Sequence, residues 1–393
     1  MVESVPERLH GPLDGVARLA PLIREHAERS ERESQLATEV VEAFHEAGLF
    51  RVLLPLEMKG SGLTIPETLR VYEAVARIDG SCGWNLAICA DGPVFGHFLP
   101  HATYDEIFGD PRALIGGSLN PMSTRAVRCD GGWRFSGKAT FVSGSAQLTW
   151  VMSSGIVFRD GAPEMGSNGI PVMRSGVLPK RVCTVLDTWS VSGMRGTGSN
   201  DCAFEDVFVP DAFTFDWPDP RSSWQRGAFA AVPLVTQLGG GLASVALGIA
   251  QHAIDALVEL ATTKVPAATR ATLCERPLAQ IQVAQAEGLL QAGRAYLWSA
   301  NEEAWRRGEA GAPFGAPERA AARLASVTAA KLAAQAVDLV YDAAGATSIQ
   351  KSSPIERCWR DVHAVTQHVI LSTGRFEIVG RVLFGLDPGA PII

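Results

Sequence analysis

The side chains best suited to acid–base chemistry in this chain are the two histidines of the apolar segment His363–His368. An imidazole has a pKa of about 6.5, so it accepts or donates a proton near neutral pH. A lone histidine on an apolar helix is also commonly a hydrogen-bonded structural residue. The segment therefore supplies a candidate whose chemistry depends on the groups that the fold places beside it.

Motifs of several common enzyme classes are absent from the sequence. The histidines include no H-E-x-x-H, the cysteines form no C-x-x-C pair, and neither G-x-S-x-G nor a Walker A loop occurs. The stretch Gly239–Ser244 superficially resembles a dinucleotide fingerprint, but it enters a helix without a βαβ unit around it. We interpret it as a flexible helix start or a close helix contact, and we expect no metal site and no classical NAD site.

Charge and hydropathy exclude further partners. The chain has 35 basic and 42 acidic residues, a formal charge of -7, and no block of lysine and arginine that could follow a phosphate backbone. The amino terminus lacks the charged-then-apolar order of a signal peptide, and no uninterrupted apolar stretch of about 18 residues occurs. We expect a cytoplasmic protein that binds neither nucleic acid nor membrane.

The first third of the chain, residues 1–112, has helical periodicity. Apolar residues recur at three- and four-residue spacing over Leu36–Phe44, and Gly48 is placed to end that helix in a left-handed conformation. Further helices are predicted over Pro66–Arg77 and Trp84–Ala90, the second of which is apolar enough to be buried. This third is predicted to be a helical domain.

Residues 113–215 change to short alternating runs with turn residues between them. The runs Arg125–Cys129 and Trp133–Val142 flank Asp130-Gly131-Gly132, which is a hairpin signal, and Leu148–Val157 is the next predicted strand. The pattern predicts a compact antiparallel barrel or sandwich.

Residues 216–393 return to helical periodicity after a connector at Trp217–Trp224. Four long amphipathic or apolar segments predict a four-helix bundle, and a bundle this apolar is expected to pack against copies of itself. The segments are Leu242–Thr262, Pro277–Arg307, Glu318–Ala344 and His363–Phe384. The whole chain is therefore predicted to be α+β and mainly α.

Three local stretches resemble signatures of the acyl-CoA dehydrogenase superfamily. They are Trp133–Lys138, the run Gly193–Asn200 followed by Phe204–Pro210, and Pro354–Asp361, which matches the pattern P-x-E-x-x-x-R-D. The resemblance extends over roughly residues 12–385. It implies the acyl-CoA dehydrogenase fold, in which an N-terminal helical domain, a central β domain and a C-terminal four-helix bundle follow one another.

The residues that the dehydrogenases use as base are missing. Their usual glutamate, eight residues after the aspartate that corresponds to Asp361, falls on Val369, and the alternative position near Leu238 has no acid. Without a base the α-proton of a thioester has no acceptor. His368 stands next to Val369, and this segment resembles the monooxygenase branch of the superfamily. That branch includes the oxygenase components of 4-hydroxyphenylacetate, steroid-phenol and dibenzothiophene monooxygenases.

This resemblance implies a two-component, reduced-flavin-dependent monooxygenase that hydroxylates an aromatic or heteroaromatic small molecule through a flavin C4a-hydroperoxide. The implied reactants are O2 and reduced FAD or FMN, with FADH2 favoured, supplied by a separate NAD(P)H-dependent flavin reductase. The Arg-x-x-Phe-Gly element of the dehydrogenases is absent, which leaves the choice between FAD and FMN open. The implied assembly is a homotetramer.

The same resemblance implies roles for individual residues. Ser143 and His368 are the implied catalytic residues, with Ser143 also at flavin N5 and His368 also at the substrate; whether His363 shares that role stays open. Ser143 is otherwise an ordinary turn residue and Trp84 a core residue. Further implied cofactor contacts are Ser118, Asn120, Phe141 and Arg195, and further implied substrate contacts are Trp84, Asp91 and His97.

The sequence leaves two alternative functions open. One is an FAD-dependent acyl-CoA dehydrogenase or oxidase with an unrecognised base, which would carry tight oxidised FAD that bleaches with an acyl-CoA. The other is a degenerate flavoprotein that serves as a scaffold and does not bind reduced flavin.

Overall fold

The computed structural model describes residues 6–217, 224, 226–267 and 269–390. Six α-helices precede the first strand in this part of the chain, and they form the predicted helical third. They are α1 (Glu7–Glu33), α2 (Thr38–Glu46), α3 (Ile65–Ala76), α4 (Gly80–Ala90), α5 (Gly92–Gly96) and α6 (His101–Phe108).

Local chemistry explains where these helices begin and end. Gly48 follows α2 with φ of 68°, the left-handed conformation that glycine adopts without strain. Thr64 and Glu67 form a capping box at the start of α3, with a 2.8 Å bond between their side chains. Asp79 caps α4 by accepting the Cys82 amide hydrogen at 2.9 Å. The helices predicted over these segments are confirmed.

The middle third is one sheet of nine strands in the described residues. Its path is β7-β8-β3-β2-β4-β6-β9, and β1 and β5 both pair with β4. The strands are β1 (Ile115–Ser118), β2 (Thr124–Cys129), β3 (Gly132–Val142), β4 (Trp150–Arg159), β5 (Ala162–Pro163), β6 (Met173–Pro179), β7 (Thr184–Leu186), β8 (Asn200–Pro210) and β9 (Thr214–Trp217).

The predicted hairpin is confirmed, but the prediction of a purely antiparallel sheet is wrong. Strands β2 and β3 pair antiparallel around Gly131, whose φ is 73°. Strand β4, however, pairs parallel with both β1 and β2. A parallel neighbour is reached through a long connection rather than a tight turn, so the turn residues on which the prediction rested carry no information about it.

The C-terminal third contains six α-helices in the described residues. They are α7 (Ala228–Ala231), α8 (Leu234–Thr263), α9 (Pro277–Glu309), α10 (Ala316–Ala344), α11 (Pro354–Val365) and α12 (Arg375–Leu383). The first three predicted bundle segments lie within α8, α9 and α10. The predicted connector Trp217–Trp224 lies largely outside the described residues.

The fourth predicted bundle segment, His363–Phe384, is not one helix. Helix α11 ends at Val365, and α12 begins only at Arg375. Between them the Thr366 hydroxyl donates to the His363 carbonyl at 2.8 Å, and the chain continues in turns. Side chains that bond to nearby backbone compete with the helix, and the β-branched residues that follow have low helix propensity. His368 consequently lies in a turn segment rather than on a helix.

Two of the three signatures recognised in the sequence meet at a junction of all three parts of the chain. Asp361 of α11 accepts the Met194 amide hydrogen at 2.5 Å. Arg360 pairs with Glu31 of α1 at 2.6 Å. A Cβ on Gly193 would stand 2.2 Å from the Arg360 carbonyl oxygen, so only glycine fits this contact. The signatures therefore fasten the helical third, the sheet and the bundle together.

Helix α8 is the central helix of the bundle and packs against α3, α4, α9, α10 and α11. It is long and apolar enough to cross a membrane by composition, but 72% of its apolar window is buried inside the protein. This burial is typical of a core helix whose apolar surface is covered on all sides.

Candidate functional site

Trp84 and Ser143 come from different layers of the fold and meet in the interior. Trp84 lies on α4, and Ser143 follows the last residue of β3. The indole Nε1 donates to the Ser143 hydroxyl at 2.9 Å, and both residues are buried. A buried indole N–H needs an acceptor, and Ser143 satisfies it.

The Ser143 hydroxyl is also hydrogen-bonded on its other side, to Ser199. Val142 of β3 pairs with Asn200 of β8, and this register brings Ser143 beside Ser199 with 2.8 Å between the hydroxyl oxygens. Thr197 continues the contact at 2.7 Å from Ser199. Three buried hydroxyl groups thus form a row that starts at the indole of Trp84.

His368 lies against the same tryptophan. The two rings meet edge to face, with 5.4 Å between their centroids. His368 Nδ1 accepts the amide hydrogen of Ile370 at 3.3 Å. Since a neutral imidazole carries one N–H, this bond leaves the hydrogen on Nε2, so Nε2 is a donor.

Burial lowers the pKa of His368 to about 4, so the imidazole is neutral at pH 7. The neighbouring positions where the dehydrogenases carry their base are apolar here: Val369 is exposed and Leu238 is buried. Asp91, a buried carboxyl nearby, has its Oδ1 engaged by the Tyr72 hydroxyl at 2.8 Å. Val369 and Leu238 therefore provide no carboxylate for α-proton abstraction.

The glycine run of α8 lies between the His368 turn and Asp91. A Cβ on Gly239 would stand 3.3 Å from the Ile370 side chain, and one on Gly241 would stand 3.4 Å from Asp91 Oδ2. The run sits inside α8 rather than at its first residue. The interpretation as a close helix contact is confirmed, and no flexible helix start is needed.

Asp91 is buried in the interior of the protein. Burial raises its pKa to about 7, while the hydrogen bond from Tyr72 works in the opposite direction. Its carboxyl is therefore close to half protonated at neutral pH. The glycine run of α8 separates Asp91 from the turn of His368.

His97 belongs to a separate aromatic cluster. Its ring lies 4.2 Å from Phe229 and 6.1 Å from both Tyr104 and Trp224, measured between centroids. Burial lowers its pKa to about 3, and its Nε2 has no hydrogen-bond partner among the described residues. In the described part of the chain, no ring contact or hydrogen bond joins His97 to Trp84, Ser143 or His368.

The predicted contacts at the end of β1 form a local turn. Ser118 is buried and its hydroxyl accepts the Asn120 amide hydrogen at 3.3 Å. Asn120 is exposed and its side chain accepts the Met122 amide hydrogen at 3.2 Å. Both side chains are thus already used in shaping the turn.

Phe141 and Arg195 make their contacts with residues other than Trp84, Ser143 and His368. The Phe141 ring is 71% exposed and meets Trp189 edge to face. Arg195 donates to the carbonyl oxygens of Glu31 and Val191 at 3.2 and 3.0 Å. Arg195 therefore ties the loop before β8 to α1.

His363 does not join His368. Its Nε2 lies 2.9 Å from Asp338 Oδ1, and its ring lies 4.8 Å from that of Trp359. This contact is on the bundle surface, where Asp338 is half exposed. His363 is therefore separate from the site that contains His368.

An unsatisfied acceptor beside Ser143 tests whether the residues fit a flavin. Asn85 is fully buried, and its Oδ1 has no hydrogen-bond donor among the described residues. A Cβ on Gly144 would stand 2.8 Å from this oxygen. A ring system with N–H donors suits such an acceptor, so the residues fit a reduced isoalloxazine ring.

Asn85, Ser199 and Thr197 were not identified as site residues from the sequence. Ser199 and Thr197 lie within a stretch that was recognised only as a fold signature. Ser199 contacts Ser143, and Thr197 contacts Ser199. The first contact depends on the register of β3 against β8, and the sequence alone does not specify this register.

Comparison with known proteins gives two matches to family models, "Acyl-CoA dehydrogenase, N-terminal domain" over residues 17–97 and "Acyl-CoA dehydrogenase, C-terminal domain" over residues 240–373. Indole-3-acetate monooxygenase of Pseudomonas putida is 31% identical over 370 residues, which cover 93% of this chain and 92% of that protein. The chain belongs to the flavin-dependent monooxygenases of the acyl-CoA dehydrogenase family.

Other flavin-dependent monooxygenases are similar to this chain over nearly its whole length. The oxygenase component of the FADH(2)-dependent resorcinol hydroxylase of a Rhizobium species is 27% identical, over 95% of this chain and 94% of that protein. The crystal structure of 3-HSA hydroxylase from Rhodococcus sp. RHA1 is 26% identical and superposes with a TM-score of 0.86, over 96% of this chain and 97% of that one. This monooxygenase is therefore an oxygenase component, and the dehydrogenase alternative is not favoured.

Proposed function

We propose that this oxygenase component hydroxylates an aromatic or heteroaromatic small molecule beside Trp84, using O2 and a reduced flavin. The observation that carries the proposal is the double contact of Trp84. Its N–H donates to Ser143, the candidate flavin contact, and its ring meets His368, the candidate substrate contact. Oxygen transfer from flavin to substrate requires the two to lie close together, and one side chain that touches both candidate contacts places them so.

Bound reduced flavin supplies the two electrons with which O2 gives one oxygen atom to the substrate and the other to water. Ser143 holds the flavin at N5, and Asn85 accepts from a ring N–H. Ser118, Asn120, Phe141 and Arg195 remain candidates for contacts farther along the flavin. The reduced form of FAD is favoured over FMN, because the similar resorcinol hydroxylase is named as FADH(2)-dependent.

His368 orients the substrate through Nε2–H. The bond from the Ile370 amide to Nδ1 supports this donor role, which suits an oxygen of the substrate. A base role, in which His368 takes the proton of a phenol, would require the other tautomer. Nε2 would be unprotonated, and Nδ1 would carry the hydrogen and could no longer accept the Ile370 amide hydrogen. Asp91 and His97 remain candidate substrate contacts on the family resemblance, although the ring of His97 lies in a separate aromatic cluster.

The partners follow from the chemistry. A separate NAD(P)H-dependent flavin reductase supplies the reduced flavin, since the sequence has no nicotinamide-binding motif. A cytoplasmic homotetramer is the proposed assembly. Exposed apolar residues on the bundle support association: Val258, Leu278, Ile281 and Phe384 are 53, 64, 54 and 84% exposed.

A reductase-coupled assay tests this function. The purified chain is mixed with NADH, FAD, a flavin reductase and a panel of phenols and indoles that includes indole-3-acetate and resorcinol. With oxygen-18 gas, mass spectrometry should find one labelled oxygen atom in the product. The reductase without the oxygenase component is the control.

A different pair of results would contradict the proposed function. If no member of the panel gains oxygen, and the chain instead binds oxidised FAD that bleaches with an acyl-CoA, the dehydrogenase function replaces the one proposed.

A further inference from the structure

A chain of hydrogen bonds runs from Trp84 to the carbonyl oxygen of Met194 through three hydroxyl groups. The successive distances are 2.9 Å from Trp84 Nε1 to Ser143 Oγ, 2.8 Å to Ser199 Oγ, 2.7 Å to Thr197 Oγ1 and 2.8 Å to the Met194 carbonyl. All three hydroxyl residues are at least 94% buried, since Ser143 is 6%, Ser199 5% and Thr197 1% exposed.

The two ends of this chain fix the direction of every proton in it. A carbonyl oxygen only accepts, so the Thr197 hydroxyl donates to Met194. Thr197 has one proton, so its oxygen must accept from Ser199, and Ser199 must in turn accept from Ser143. At the other end the indole of Trp84 only donates, which agrees with the same direction.

The terminal carbonyl is firmly held. Met194 O also accepts from the Trp189 indole at 3.1 Å, and the Met194 amide donates to Asp361 at 2.5 Å. A carbonyl oxygen cannot carry a proton away, so the chain is not a route for proton release. Its effect is to orient the Ser143 hydroxyl.

The orientation of the Ser143 hydroxyl determines which hydrogen bond it can still form with a ligand. A hydroxyl has one proton and two lone pairs. The proton goes to Ser199 and one lone pair accepts from Trp84, so a single lone pair remains. Toward any further group Ser143 is therefore an acceptor and not a donor.

We propose that Ser199 and Thr197 are positioning residues that make Ser143 an acceptor only, and that this selects the reduced flavin. The proposal rests on the proposed placement of Ser143 at flavin N5. Reduced flavin carries a hydrogen on N5 and can donate to Ser143. Oxidised flavin presents a lone pair at N5, which faces the lone pair of Ser143 without a proton between them.

Anaerobic titration of the purified oxygenase component with reduced and with oxidised FAD tests the proposal through two dissociation constants. The wild type should bind the reduced form more tightly. Ser199→Ala and Thr197→Val should both narrow the ratio of the constants by about 3- to 10-fold, because a hydrogen bond is worth roughly 0.5–1.5 kcal/mol. In each variant the Ser143 proton becomes free to turn toward oxidised N5.

Thr197→Ser is the matched control, since it keeps the hydroxyl and should keep the ratio of the wild type. A tenfold change in the ratio equals a shift of about 30 mV in the two-electron potential of the bound flavin, which dye equilibration measures independently. Thr197→Val is nearly isosteric and acts at the far end of the chain, so it carries the test if Ser199→Ala does not fold.

The outcomes separate this inference from the proposed function. If Ser143→Ala leaves the ratio unchanged, the placement of Ser143 at N5 is wrong. If Ser143→Ala changes the ratio but Ser199→Ala and Thr197→Val do not, Ser143 contacts N5 and the positioning role is overturned. If Thr197→Ser narrows the ratio as much as Thr197→Val, packing rather than proton direction is responsible, and the inference fails.

Discussion

Asp361 on the bundle accepts the amide hydrogen of Met194 in the loop that leads to β8, across 2.5 Å. Met194 has φ of 56°, which a residue with a side chain seldom adopts. Burial raises the pKa of Asp361 to about 7, and the Met194 amide acts against this increase. The carboxyl therefore holds a strained backbone position that also ends the row of hydroxyl groups behind Ser143.

Replacement of Asp361 should show how much this contact stabilises the fold. Asp361→Ala leaves the buried Met194 amide without an acceptor, which should lower the free energy of unfolding by about 1–3 kcal/mol. Asp361→Asn keeps an acceptor oxygen of the same shape and should cost less. Urea unfolding of both variants measures the difference. Equal losses in the two variants would mean that the Met194 bond contributes little.

His368 and His363 form a matched pair for testing the site. His368→Ala should reduce hydroxylation by about 10²-fold or more, because a substrate misplaced by about 1 Å already loses that much. The NADH consumed should then appear as hydrogen peroxide. His363→Gln should leave the product yield unchanged, since His363 pairs with Asp338 on the bundle surface. A large loss of product in the His363 variant would contradict this assignment of the two histidines.

The pH dependence of hydroxylation should show no titration of His368 near neutrality. Burial lowers its pKa to about 4, so the neutral ring persists from about pH 5 upward. The ratio of the wild-type rate to the His368→Gln rate should therefore stay level between about pH 6 and pH 8. A ratio that rises through about pH 6.5 would indicate an imidazole that titrates as it does in water.

Asp91 should make stability depend on pH in a defined direction. Burial raises its pKa to about 7 in the fold, whereas an unfolded aspartate has a pKa of about 3.9. Between these values the folded chain binds one more proton, so its stability falls as the pH rises. Relative to Asp91→Asn, the wild type should lose roughly 1.4 kcal/mol per pH unit in this window. Urea unfolding at several pH values from about 5 to 8 measures the slope, and a constant difference between the two proteins would contradict it.

The glycines of the bundle offer another matched pair. Gly240→Ala would place a Cβ 2.6 Å from the buried Asn301 Oδ1, so it should destabilise the protein by about 1–3 kcal/mol. Gly288 lies on the exposed side of α9, where an added Cβ would have no atom within 4 Å. Gly288→Ala should be neutral or stabilise by up to about 1 kcal/mol through helix propensity. Thermal unfolding compares the two, and a stabilised Gly240→Ala would refute the close contact.

The sequence was sufficient for the helices of the first third and for the hairpin around Gly131, because capping residues, periodicity and turn residues are local signals. It was insufficient for the parallel pairing of β4, which joins strands that are distant along the chain. The site shows the same division. Ser143 and His368 are predictions from the family resemblance, whereas the contact of Ser199 with Ser143 depends on the register of β3 against β8.

The break between α11 and α12 has a consequence for substitutions in the segment between them. Helix α11 is anchored by Arg360 and Asp361, and α12 by its own buried residues Ile378 and Val379. The exposed positions of the segment 366–374, which carries His368, are therefore expected to accept substitutions without shifting the register of either helix; Val369 is one of them. Under the proposed function, we therefore expect substitutions in this short segment to change which substrate is accepted while both helices keep their positions.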